Sequence, residues 1–477
     1  MYRAVIGLEV HVQLATNSKL FASDSTAYGE APNTNIGVVT LAHPGTLPKL
    51  NRKAVELAVK MGLACGCKIT RENFFDRKNY FYPDLPKGYQ ITQNRTPLCS
   101  GGAVRVELAD GSERTVQLNR IHLEEDAGKS IHDGAKTETQ LDFNRAGVPL
   151  IEIVTEPMIQ TAGEAGAFLS EVRKLVRYLE ISDGNMEEGS LRCDANVSVM
   201  SIVSSQLGMK VEIKNLNSIR FVQHAIEAEI SRQVGILEGG GFIISETRLY
   251  DQTSGNTVAM RTKEELNDYR YFPEPDLSPV IITEHWLQEI KASLPELPRQ
   301  RLERFIRQYG LPSYDARVLT ETKILADYFE AVCSEMTNFK AVSNWIMGPV
   351  KSYQNENSSA DIPLPASVLA RLIQLVETNQ VSFSVAAQQI LPELIKNPLK
   401  SPVEVAQQLN VIQQTDAGVI LPVIESVLRD YPAKVNEYKK GKKGIMAMFM
   451  GEVMKRTHGK ADPKLATELI RKQLESK

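Results

Sequence analysis

The period of the hydrophobic pattern changes once along this chain, and that change constrains the fold more than any other feature. Up to about residue 290 apolar and polar residues mostly alternate, punctuated by Gly, Pro, Asp and Asn, as half-buried strands require. Beyond Pro295, Pro298 and the charged run RQRLER the spacing turns helical, as in Ile324, Leu325, Tyr328, Phe329 and Val332. One helix interrupts the strands: Phe168, Leu169, Val172, Leu175, Val176 and Leu179 form an apolar stripe that stops before the turn Asp183-Gly184. A second break, at Asn397-Pro398 and Ser401-Pro402, precedes further amphipathic segments. Strands grouped first and helices after them specify an α+β chain. The expected layout is an N-terminal antiparallel-sheet domain over 1–292, an all-helical domain over 293–405 and a second over 406–477. With 477 residues, three domains match the usual size of about 100 to 200 residues each.

Hydrophobic residues are 42% and charged residues 24% of the chain, so disorder, collagen-like repeats and a coiled coil are poor readings. No segment approaches the roughly 18 to 20 uninterrupted apolar residues of a membrane span, and MYRAVIGLEVHVQL lacks the layout of a secretory signal. A cytoplasmic protein without a membrane partner is expected. Cys65, Cys67, Cys99, Cys193 and Cys333 are too few and scattered for a disulfide framework, which leaves reduced thiols. Charge is unevenly distributed. From Lys434 to Lys477 twelve Lys or Arg face five acids, a net of +7 in a chain whose total is -3. An acidic body with a basic end suits a polyanion partner, although a solvated helical face explains such a run equally well.

Alternation also sorts the chemistry. In IGLEVHVQL the apolar residues share one face, which puts Glu9, His11 and Gln13 on the other. NRIHLEEDAG places His122, Glu124 and Asp126 together, with Ile121, Leu123 and Glu125 opposite. LRCDANVSV presents Arg192, Asp194, Asn196 and Ser198, and MKVEIK presents Lys210, Glu212 and Lys214. In PLIEIVTEP, Glu152 interrupts an apolar run, where an unpaired charge would be expensive to bury. For any single strand, a polar face turned to water is the simpler account. If the faces line one concave sheet, however, Glu9, His11, Glu124, Glu125, Glu152 and Asp194 converge, and carboxylates that close need a cation. Oxygen ligands suit Mg²⁺ or Mn²⁺, and one imidazole moves the preference slightly toward Mn²⁺. The stretch RKNYFYPDLPKGYQI interleaves Arg77, Lys78 and Lys87 with Tyr80, Phe81, Tyr82 and Tyr89, a loop able to hold phosphates and stack a base. A P-loop is excluded because Leu123 stands where its first glycine would be, and no H-E-x-x-H, C-x-x-C or amidase nucleophile region is present.

The strings IGLEVHVQL, HPGTLPKLN, RKNYFYPDLPKGYQI, LEEDAGK, DFNRAGVPLIEIVTEP, GNMEEGSLRCDANVSV, VEIKNLNS and DYRYFPEPD occur in this order between residues 6 and 276. Together they resemble the B subunit of the aspartyl/glutamyl-tRNA amidotransferase family, and FKAVSNWI and GKADPKLATELI resemble that subunit's helical and tail regions. The resemblance implies a heterotrimer with an amidase-type A subunit plus a small C subunit. It converts Glu-tRNA(Gln) to Gln-tRNA(Gln) or Asp-tRNA(Asn) to Asn-tRNA(Asn). The B subunit would use ATP and Mg²⁺ to phosphorylate the side-chain carboxylate, after which ammonia released by the amidase displaces phosphate.

Carried over residue by residue, the resemblance makes the sheet domain a catalytic cradle. It implies Glu9, Glu125, Glu152 and Lys214 as catalytic groups, and His11, Glu124, Glu152 and Asp194 as metal ligands. Lys78, Tyr80, Tyr82, Arg192, Lys214 and Arg248 would contact ATP or its phosphates. The last domain would hold tRNA through Lys442, Lys443, Lys455, Arg456 and Lys460, by backbone charge rather than base readout. Many members carry a C-x-x-C pair where this chain has Gly37 and Thr40, so the structural zinc of some relatives is not expected here.

Overall fold

The computed structural model describes the chain except residues 133–137, 205, 263–268, 358–361, 363, 413–416, 458–459 and 476–477, and, within strands, the side chains of 132, 261 and 262. It forms two compact units, Met1–Pro298 and Arg299–Lys477. The first is built on a mostly antiparallel sheet and the second is helical, an α+β architecture.

The strands that carry the argument are, in chain order, β1 (Tyr2–Gln13), β2 (Asp76–Asn79), β3 (Tyr89–Thr92), β4 (Glu113–Glu125), β5 (Pro149–Thr155), β6 (Leu191–Ser201), β7 (Val211–Leu216), β8 (Glu246–Asp251), β9 (Asn256–Thr262) and β10 (Arg270–Pro273). The large sheet runs β9-β8-β7-β6-β1-β5-β4 and continues through the short strands Cys99–Ser100 and Lys68–Ile69. β10-β2-β3 form a separate three-stranded sheet. Among the described residues one pairing departs from the antiparallel expectation: β7 and β8 are parallel. A parallel pair needs a crossover, and a helix, Ile219–Glu238, fills the connection.

Alternation fixes which face is apolar. Along β1, Ile6, Leu8, Val10 and Val12 are fully buried, while Glu9, His11 and Gln13 are only half-buried on the other side. The buried face shares one core with α1 (Arg52–Ala64), α2 (Ala162–Tyr178) and α3, the Ile219–Glu238 crossover. These helices start where a side chain satisfies a free backbone donor: Asn51 accepts from Lys53 N, Thr161 from Glu164 N, and Ser218 from Phe221 N. α2 ends where expected, and Glu180, at φ +55°, turns the chain toward Gly184. Leu294 and Leu297 still pack against this core, so the first unit extends to Pro298. With three helices on its back, the sheet leaves its polar face for chemistry.

The second unit holds two separate apolar clusters, one spanning Phe305 to Ala406 and one spanning Ile420 to Leu474. Pro349 lies in a wide turn, Ile346–Val350, where the helical ladder loosens around a residue without an N–H. No helix among the described residues is long and apolar enough to cross a membrane.

Candidate functional site

Register converts the alternating pattern into three short rows across the sheet. His11 pairs with Glu152 and Arg192, and Glu152 pairs in turn with His122. The row therefore reads Arg192, His11, Glu152, His122. The neighbouring row is Asp194, Glu9, Val154, Arg120, and on the other side Gln13 and Glu124 both pair with Leu150. Paired Cβ atoms sit about 4.5 to 5.5 Å apart and diagonal Cα atoms about 7 to 8 Å, so charged groups separated by over a hundred residues are forced together.

At the centre, His11 Nε2 lies 3.6 Å from Glu124 Oε1 and 3.7 Å from Glu152 Oε2. One ligand atom from each of His11, Glu124 and Glu152 falls within 4.8 Å of the others, and no other such group of three or more occurs among the described residues. Two carboxylates and one imidazole converging at that spacing match the donor set of Mg²⁺ or Mn²⁺. Behind them stands His122, whose Nε2 is 3.2 Å from Glu152 and 3.7 Å from Glu124, while its buried Nδ1 has no hydrogen-bond partner. Burial opposes a charged imidazole there, yet Glu152 and Glu124 push His122 up to about 9. Burial likewise opposes ionisation of Glu152, but His122, His11 and Lys78 hold its carboxyl well below the usual range. His122 was missing from the sequence-based site set, although alternation in NRIHLEEDAG already put it beside Glu124.

The other expected residues fall into several environments. Glu9 accepts a 2.9 Å hydrogen bond from Asn196 Nδ2, and burial followed by Glu152, Glu212 and Asp194 raises its pKa. Asp194 is outside the three-ligand group and accepts from Lys214 Nζ at 2.7 Å. Glu212 holds the same ammonium at 2.9 Å, and against burial the two acids raise the Lys214 pKa. Arg192 is committed to Asp126 at 2.9 Å, which also accepts from Gln13 at 2.9 Å. Lys78 reaches in from β2 of the small sheet, with Tyr269 4.7 Å and Tyr80 6.0 Å from its Nζ. Tyr82 is exposed.

Two expectations need correction. Glu125 does not join the cluster: it points to the opposite side, ion-paired with Lys87 and accepting Ile91 N at 2.8 Å, because adjacent residues of a strand face opposite ways. Arg248 does not face the site either. It is in register with the core residue Ile213 and donates to Glu246 at 2.7 Å, Thr257 Oγ1 at 2.8 Å and Thr257 O at 2.6 Å, 3.6 Å from the fully buried Glu229 of α3. Neighbouring Thr247 is the residue of β8 that turns to the polar face, donating to Glu212 at 3.0 Å.

In the basic end, Lys442 pairs with Glu437 at 3.2 Å, Lys443 lies 4.3 Å over Tyr438, and Lys460 donates to Asn410 at 2.9 Å. Arg456 is held by Asp430 at 2.8 Å and Glu452 at 3.3 Å. Lys455 and Arg456 close the helix Ile445–Arg456, where cations suit the dipole.

Comparison with known proteins adds a separate line of observation. A family model described as the GatB/GatE catalytic domain matches residues 4–288, and one described as the GatB domain matches residues 327–474. A relative from Caldanaerobacter subterraneus subsp. tengcongensis is 48% identical over 475 residues, 99% of either chain. One from Alkalilimnicola ehrlichii is 47% identical over 478 residues, the full length of both, and one from Geotalea daltonii is 47% identical over 479 residues, 99% of either chain. All three are named as B subunits of aspartyl/glutamyl-tRNA(Asn/Gln) amidotransferases.

Proposed function

The chain belongs to the B-subunit family of the aspartyl/glutamyl-tRNA(Asn/Gln) amidotransferases, and from that premise we propose that its polar sheet face is the site where a tRNA-borne carboxylate is phosphorylated and amidated. The chain is a component of a glutamine-dependent carbon–nitrogen ligase acting in tRNA-dependent amidation. The substrate is the side chain of Glu on tRNA(Gln) or Asp on tRNA(Asn), the phosphoryl donor is ATP, and the reaction occurs in the cytoplasm with the A and C partners of the heterotrimer. The observation that carries this reading is the convergence of His11, Glu124 and Glu152 with Lys78 beside them.

The chemistry needs an activation step because a carboxylate has only oxide to expel. A carboxylate oxygen attacks the γ-phosphorus of ATP, the bond from that phosphorus to the bridging oxygen breaks, and ADP leaves with the electron pair. Ammonia then attacks the acyl carbon, and phosphate departs with the electrons of the carbon–oxygen bond. His11, Glu124 and Glu152 would hold Mg²⁺ or Mn²⁺, which supplies charge neutralisation for the phosphate oxygens. His122, with Nε2 3.2 Å from Glu152 and 3.7 Å from Glu124, steadies these carboxylates from behind. Lys78 offers an ammonium to the phosphates. Glu9, with its raised pKa, is suited to accept the proton that ammonia sheds. Lys214 keeps Asp194 and Glu212 compensated and so keeps that wall of the site in shape. The basic helical end, which we read as a domain of its own, would bind the tRNA backbone.

The test is ADP release by the reconstituted heterotrimer with Mg²⁺ and ATP, with and without Glu-tRNA(Gln), in the absence of glutamine. Release should require the charged tRNA and vanish in Glu124→Gln while tRNA binding persists. Release that ignores tRNA, or survives the substitution, would make this face a binding surface only.

A further inference from the structure

Arg120, on the site's own face of β4, has no role so far. Two residues along the strand from His122 and four from Glu124, it belongs to the same polar row set, directly opposite Val154. Glu152 is its diagonal neighbour, about 7 to 8 Å away between Cα atoms and within reach of a long side chain. Yet among the described residues the Arg120 side chain makes no hydrogen bond or ion pair, and its Nε is buried without a partner. Lys78 too makes ring contacts, to Tyr80 and Tyr269, but its ammonium has no hydrogen bond or ion pair among the described residues. Tyr271, paired with Lys78 across β10 and β2, lies within electrostatic reach of Lys78, Glu124, Glu152 and Arg120 together.

Leaving a guanidinium nitrogen buried and unpaired costs free energy, and the carboxylates nearby could have removed that cost had the site been built only for stability. Other arginines of this unit are paired: Arg77 with Glu274, Arg192 with Asp126, Arg232 of α3 with Glu229, and Arg248 with Glu246. Two cations without a carboxylate partner border an acidic centre, and both are free to meet an anion. A guanidinium presents a planar fork that fits two oxygens of a phosphoryl group.

We propose that Arg120 is a catalytic residue for the phosphorylation step, contacting the γ-phosphoryl oxygens while that group passes from ADP to the substrate carboxylate, with Lys78 as the second cation. The assignment rests on the function proposed above. Because the charge it meets is spread over the transferring oxygens, Arg120 should act on turnover more than on binding of ADP.

The experiment uses the heterotrimer carrying Arg120→Ala or Arg120→Lys, with Glu124→Gln in parallel. Tyr271 and Lys78 are left intact. Arg120→Ala should lower tRNA-dependent ADP release at saturating ATP by about 10²- to 10³-fold. Free guanidinium at millimolar concentration should restore part of it, which a merely structural defect would not allow. A binding readout accompanies these rates. The wild-type heterotrimer should bind ADP more tightly when aluminium fluoride is added as a mimic of the phosphoryl in flight, and Arg120→Ala should lose that gain while binding ADP alone within about twofold of wild type. If the alanine variant does not fold, Arg120→Lys decides the matter, since it keeps the charge but loses the fork and should still lose at least roughly tenfold in turnover and most of the fluoride gain. Unchanged turnover and an unchanged fluoride gain would overturn the assignment. Should Glu124→Gln also leave ADP release intact, the phosphorylation reading itself fails; if Glu124→Gln abolishes release while the Arg120 variants retain it in full, Arg120 alone is refuted.

Discussion

Arg248 separates two accounts of one residue, and replacing it with methionine tests them. As a phosphate contact, Arg248→Met would raise the KM for ATP by tenfold or more and leave the fold unharmed. The structure predicts the reverse. The guanidinium donates to Glu246 at 2.7 Å and twice to Thr257 at 2.8 and 2.6 Å, and it stands 3.6 Å from Glu229, which is fully buried. Breaking a buried charged network by removing one partner costs about 3 to 5 kcal/mol when the other is left uncompensated. Here Arg232 remains, 2.6 Å from Glu229 and 3.4 Å from Glu246, and Gln233 donates to Glu229 at 2.8 Å. The loss should therefore fall below that range, at about 2 to 3 kcal/mol, as for hydrogen bonds to charged groups. Denaturant unfolding of the chain, followed by a probe in the first unit, reads that loss, and ATP saturation of the assembled enzyme reads KM. A double substitution with Glu229→Gln should cost less than the sum of the two singles, since both act on one network. A KM raised tenfold with stability within about 0.5 kcal/mol of wild type would refute the network account.

Further expectations can be checked independently. Imidazole NMR of the metal-free protein should show His122 titrating near 9; adding Mg²⁺ should lower that value, because the ion offsets the charge of Glu124 and Glu152 that retains the proton. In stability, the raised His122 pKa contributes fully below its unfolded value of about 6.5 and is lost as pH climbs through about 9, so metal-free protein should weaken across that window and His122→Asn should flatten the loss. Replacing Lys442, Lys443, Lys455 and Lys460 with alanine should weaken tRNA binding across sequences and reduce the salt slope by about one per lost phosphate contact, while Arg456→Ala should mainly lower stability because its guanidinium is already paired with Asp430 and Glu452. Purified protein should hold no stoichiometric zinc, since Gly37 and Thr40 offer no thiolate and burial pushes the Cys67 thiol up to about 11; one equivalent by elemental analysis would refute this.

Side-chain alternation is a local property, and it carried a great deal. It assigned Glu9, His11 and Gln13 to one face of β1, and it grouped His122 and Glu124 against Glu125 before any partner strand was known. His122 and Arg120 were within its reach and were passed over because a single strand cannot say what its polar face meets. Glu125 shows the converse: the resemblance implies it as a catalytic group, although its position in the strand turns it away toward Lys87.

By itself the sequence determined the α+β layout, the apolar stripe of α2, the polar faces of the site strands and, through its ordered motifs, the family. Tertiary structure alone decided which faces meet. Setting β1 between β5 and β6 puts His11 next to Glu152 and Arg192, and the parallel strand β8, reached through α3, turns Arg248 toward Glu229 and leaves Thr247 for the polar face. The physical reason is range. Which way a side chain points follows from the backbone period of its own strand, whereas sheet order and register come from packing between segments more than a hundred residues apart, whose energies no single segment contains.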